Sequence, residues 1–170
     1  GASGLIALAA AQHAAAGSTL DQIIHHVNEL IPKVTLIAFL DTLYYLGRSG
    51  RVSKVQAWTG SVLGFKPVTE LKLGEARMLA RPRSRAKATD HLLEIMRQRV
   101  GRAPVRVNVM EADAPEDAQA LSRRIETQFN CRELFVSQFT PVMGAHIGPG
   151  LLGVAFYAED MEGAPGPAAR

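Results

Sequence analysis

At 170 residues, with 47% apolar and 21% charged residues, the chain has the composition of one ordinary globular domain, alone or with a piece of another. Its apolar runs fall well short of a membrane span, and no charged n-region followed by an h-region opens it. The single cysteine, Cys131, excludes an internal disulfide and fits a reducing cytoplasm, while a net charge of +3 permits anionic partners without requiring nucleic acid.

The chain begins at Gly1 inside what is already a helical sequence, so the expectation is a fragment of a larger fold. Ala-rich residues 4–16 favour a helix that Gly17 ends. Ser18, with Asp21 three residues on, reads as the N-cap of a second helix that Pro32 closes. Residues 34–40, VTLIAFL, are too short and too β-branched for a helix and read as a buried strand. Asp41 is placed to cap a short helix through Tyr44 and Tyr45, and a further helical piece is expected over 55–64. KPVTELKLGEARMLAR reads as two strands around a turn at Gly74.

Ser84 caps a long helix in which Ala88, Leu92, Ile95, Met96 and Val100 fall at helical spacing. VRVNV, residues 105–109, alternates like a half-buried strand. Asp113 and Pro115 start a second amphipathic helix. RELFVSQF and LLGVAFY complete about six strands, and the tail from Ala158 is expected to be loose. The total is an α+β fold: a six-stranded mixed, largely antiparallel sheet, with helices on one face as the economical arrangement.

Few motifs carry chemistry. There is no phosphate-binding glycine loop, and His13, His25, His26, His91 and His146 lack metal-ligand spacing, so neither metal nor cofactor is expected. GRSGR, residues 47–51, lacks the last glycine of a nucleophile elbow, which leaves Ser49 as a turn residue. Arg77, Arg81, Arg83, Arg85 and Lys87 cluster at a helix entrance, against the macrodipole. They form either a solvated helix start or an attractor for an anion or an acidic partner; without interleaved aromatic residues, nucleic acid ranks lower. The stretch GAHIGPG surrounds His146 with Gly144, Gly148 and Gly150. It is either a turn holding a structural histidine or a loop that shapes a polar spot at a pocket mouth.

Three stretches together resemble the DegV family. Leu43 to Val52 follows an L-x-Y-L-x-x-G-G-R-I element, with Ser49 in place of the first glycine and Val52 in place of Ile. Lys66-Pro67, Gly74 and the Arg83 to Ala88 helix start follow in order, and His146, Gly148, Pro149 and Gly150 match an H-x-G-P-G loop. The resemblance implies residues 1–32 as helical sequence from the end of an N-terminal lobe, 33–157 as the C-terminal domain and 158–170 as a flexible tail. It implies a long-chain fatty acid held between two lobes and presented to a fatty-acid kinase, with no catalytic residue in this chain. It places His146, Gly148 and Gly150 at the lipid head group, and Arg51, Arg83 and Lys87 facing the phosphate or the partner. The alternative is an enzyme acting on a small anionic substrate with His146 as acid or base.

Overall fold

A computed structural model describes residues 1–48, 64–72 and 75–159. Helix α1, Ala2–Ala15, ends at Gly17, and α2 spans Leu20–Leu30. The cap of α2 is Thr19 rather than Ser18: Thr19 Oγ1 accepts from the Gln22 amide at 3.4 Å, and the Thr19 amide donates to Gln22 Oε1 at 2.8 Å. The box therefore closes with a neutral amide one residue later than the Ser18–Asp21 pairing expected from sequence.

Strand β1, Thr35–Phe39, is followed by the short helix α3, Tyr44–Arg48. Thr42 Oγ1, not Asp41, accepts the Tyr44 amide, at 3.1 Å. Strands β2, Val68–Lys72, and β3, Glu75–Ala80, pair antiparallel as expected. Their turn at Gly74 and nearly all of the helical piece expected over 55–64 lie outside the described residues. Ser84 does cap α4, Arg85–Val100, by accepting the Lys87 amide at 3.3 Å. Strand β4, Val105–Ala112, helix α5, Pro115–Gln128, strand β5, Cys131–Gln138, helix α6, Pro141–Ile147, and strand β6, Leu151–Ala158, complete the elements of the described residues.

The six strands form one sheet in the order β3-β2-β1-β6-β4-β5. Only β4 and β5 run parallel, joined through α5; the other neighbours are antiparallel. The last strand thus lies between β1 and β4. Strand β4 is interior, and every residue except Arg106 is buried, so the half-buried reading of 105–109 fails. A strand paired on both edges and covered on both faces buries both sets of its alternating side chains, and the polar Asn108 and Glu111 are buried with hydrogen bonds from Ser137 Oγ and the Ala114 amide.

The alternation of side chains divides the core into layers. On one face Ile37 and Phe39 of β1, Leu152, Val154 and Phe156 of β6, and Val105, Val107 and Val109 of β4 pack against Leu92, Leu93 and Met96 of α4 and Leu121 and Ile125 of α5. On the other, Met110, Ala155 and Tyr157 meet Leu5 and Ala9 of α1 and Leu30 of α2. Arg106 Nη1 fastens α1 to this face, donating to Gln12 Oε1 at 2.6 Å and Glu133 Oε2 at 2.8 Å. Helices therefore cover both faces, not one. Amphipathic periodicity shows that a helix packs on a sheet but not on which side.

Candidate functional site

The second face also carries a smaller cluster. Ala38, Leu40, Leu43, Ala112, Ile147 and Leu151 are buried together, with Leu46, Phe65, Met78 and Phe139 packed against them. Helices α3 and α6 sit on this cluster and on each other. The sequence GAHIGPG, read as a turn or loop, is the second half of α6 and its exit. With Pro141 in the first turn and Gly144 in the middle, so short a helix has too few positions for a periodic signal.

His146 lies in the last turn of α6, half-buried, one residue before the buried Ile147. Among the described residues no hydrogen bond or ion pair involves its ring. The two helices expose apolar surface beside it: Tyr44 is 56% and Val142 66% exposed, with Tyr45 and Met143 also open. The far flank of α6 borders a cleft of about 360 Å³ that includes Asp113, Phe139, Thr140 and Gly148. Amphipathic walls with few polar groups are what an apolar ligand with one polar end requires.

The glycines around His146 differ in their roles. Gly144 is helical, with open space where a side chain would stand. Gly148 has φ +77°, and a Cβ there would lie 2.2 Å from Cδ2 of Tyr45. Gly150 has φ +85°, and a Cβ there would lie 2.5 Å from Oδ2 of Asp41. Both are needed for positive φ and for close approach to the segment carrying α3.

Asp41 anchors that segment. Its Oδ1 accepts from Arg85 Nη1 at 2.6 Å and lies 3.2 Å from Lys66 Nζ. The same Arg85 nitrogen donates to the Gly150 carbonyl at 2.7 Å, and Arg85 Nε donates to Asp117 Oδ2 at 2.8 Å. Burial alone would lower the pKa of this guanidinium, but its hydrogen bonds to Asp117 and Asp41 raise it above the ordinary arginine value. Within the basic cluster, Arg85 is thus an internal tie.

The other predicted cations are scattered. Arg83 is exposed, its guanidinium 5.2 Å from the centre of the Phe65 ring, at the rim of the cluster beneath α3 and α6. Lys87 lines a shallow groove of about 450 Å³ between α4 and α5, with His91, Arg97 and Arg124. Arg51 lies outside the described residues. Sequence reasoning passed over Arg85, Asp41 and Tyr45 as site residues. Arg85 was visible as a member of the cluster, but acceptors 44, 32 and 65 residues away leave no local pattern.

A DegV family model, described as that of an uncharacterised protein family, matches residues 1–159. The chain belongs to the DegV family. A DegV domain-containing protein of Streptomyces coelicolor is 40% identical over 152 residues, covering 89% of this chain and 54% of that protein. Protein DegV of Bacillus subtilis is 30% identical over 157 residues, covering 91% and 56%. The chain therefore spans about half the length of these DegV relatives.

Solved DegV structures share the fold. A DegV family protein from Thermus thermophilus, described for its fatty acid binding, superposes with a TM-score of 0.83 at 29% identity, over 92% of this chain and 56% of that one. DegV of Bacillus subtilis, described as a fatty acid binding protein, gives 0.80 at 29% identity, over 93% and 57%. The six-stranded mixed sheet expected from sequence is the sheet of this family. Among the described residues no helix is long and apolar enough to cross a membrane.

Proposed function

We propose that this chain supplies one wall of a long-chain fatty-acid site, with His146 at the carboxylate end. The observation that carries the reading is the exposed apolar surface of α3 and α6 beside a half-buried imidazole with no partner among the described residues. Fatty acid binding by the Thermus and Bacillus relatives supports it. Each buried CH₂ contributes about 0.8 kcal/mol, so an acyl chain provides most of its own affinity and the wall needs little polarity. Imidazole donates to a carboxylate best where water is sparse.

The finer parts of the reading follow. Residues 1–32 belong to the end of an N-terminal lobe and 33–157 to the C-terminal domain, although α1 packs on the sheet of that domain and β6 runs on through Ala158; the rest of the tail expected over 158–170 lies, from residue 160, outside the described residues. The protein works in the cytoplasm as a carrier, and a fatty-acid kinase performs the chemistry on the exposed carboxylate. Arg83, at the rim of the cluster, meets the acyl phosphate or the kinase; Arg51 shares that role, and Lys87 is the weakest of the three.

The test is lipid extraction from the purified full-length protein followed by mass spectrometry, with palmitate and oleate titration of His146→Ala. Bound fatty acid and weakened binding in the variant support the proposal. A protein that carries none and titrates neither acid overturns it. Arg83→Glu separates the partner role: lipid affinity survives while transfer to the kinase fails.

A further inference from the structure

We infer that Arg85 is the positioning residue of the His146 loop, holding it in register with Tyr45 through Asp41 and the Gly150 carbonyl. The inference rests on the reading of His146 as the group at the ligand's carboxylate end, and extends it to a residue that touches no ligand.

The geometry is that of one planar cation shared by separate segments. Arg85 is the first residue of α4, with its guanidinium carbon 5.1 Å from the centre of the Phe39 ring. Its Nη1 donates both to Asp41, just past β1, and to the Gly150 carbonyl, just before β6. Its Nε and Nη2 take Asp117 in the first turn of α5. The Gly150 amide donates to the Ala112 carbonyl at 2.7 Å, which fixes the loop from the β4 side as well.

The consequence lies a few residues from each contact. Tyr45 follows Asp41 by four positions, and His146 precedes Gly150 by four. Between them, the Tyr45 ring occupies the space a side chain at Gly148 would fill. Both sides of that contact are therefore tethered to one guanidinium. Only arginine offers several coplanar N–H groups that reach all three acceptors at once; an ammonium would satisfy part of the set. Lys66, which also reaches the Asp41 carbonyl at 3.2 Å, neutralises the carboxylate but makes no contact with the loop among the described residues.

The test uses the full-length protein and the variants Arg85→Lys, Arg85→Gln, Asp41→Asn and the double variant Arg85→Gln/Asp41→Asn. Two readouts are taken: palmitate affinity by titration, and the NMR shift of the Gly148 α-protons, which the Tyr45 ring current displaces without any ligand. Arg85→Gln should weaken palmitate by about tenfold and return the Gly148 shift toward that of a mobile glycine. Arg85→Lys should recover thermal stability but neither the shift nor the affinity, and the double variant should be no worse than Arg85→Gln.

An unchanged Gly148 shift in folded Arg85→Gln overturns the inference. So does full recovery by lysine, which would reduce Arg85 to a source of charge. If Arg85→Gln does not fold, Arg85→Lys decides by the same shift. A wild-type protein that binds no palmitate, but whose Gly148 shift still depends on Arg85, would defeat the proposed function and leave the positioning role standing.

Discussion

The ring of Tyr45 stands where a side chain on residue 148 would have to go, 2.2 Å from the position of a Cβ. Gly148→Ala therefore meets two obstacles, a left-handed backbone and an occupied space. Gly17, at φ +86° with nothing within 4 Å, presents the first alone. Gly17→Ala should lose about 1 kcal/mol of stability, while Gly148→Ala should lose about 2–4 kcal/mol and bind fatty acid more weakly. Urea denaturation of both variants, with palmitate titration, checks the difference.

The cap of α2 makes a sharper distinction. Thr19→Ala removes the acceptor of the Gln22 amide and should cost about 1 kcal/mol, whereas Ser18→Ala should be near neutral. Equal losses in denaturant midpoint for the two would show that the box does not cap this helix.

The hairpin of α1 and α2 should respond to acid. The rings of His13 and His26 stack with centroids 3.9 Å apart. Burial, then the neighbouring His13, lowers the His26 pKa; Glu29 opposes this, and Lys33 and His25 add to it. A histidine whose folded pKa lies below its unfolded value binds more protons when unfolded. Its contribution is complete above the unfolded value near 6.5 and is lost as pH falls through that value toward the folded one. His26→Gln should flatten the slope of stability against pH between about 7 and 5. An unchanged slope would rule out this histidine as its source.

The sheet-facing side of α4 gives a core test. Leu92 is wholly buried against the strands, and Leu92→Ala should cost about 2–5 kcal/mol by calorimetry or denaturant. His91→Ala, on the exposed side, should change stability by less than about 0.5 kcal/mol.

Much of this architecture is legible in the residues. Gly17 ends α1, Ser84 starts α4, and Pro115 opens α5, because these signals act over one turn. The mistaken readings have equally local causes. Ser18 and Thr19 are both good caps, and the choice between them falls to whichever side chain Gln22 reaches. Helix α6 escapes notice because Pro141 is a turn residue as well as a helix-entry residue, and Gly144 is a poor helix former in so short a segment. The candidate site was half visible. The histidine and its glycines announce themselves by composition, whereas the tie from Arg85 to Asp41, Asp117 and Gly150 exists only once β1, α5 and β6 have come together.

The place of β6 between β1 and β4 governs the order of assembly. As the polypeptide leaves the ribosome, β1, β2 and β3 can form one ribbon and β4 with β5 another, but no strand pairing joins them until residues 151–158 emerge. The nascent product must therefore wait for β6 before the middle of the sheet is shut. Chaperone contact should be greatest in that interval, and a ribosome stalled before residue 151 would display two half-sheets with no strand pairing between them.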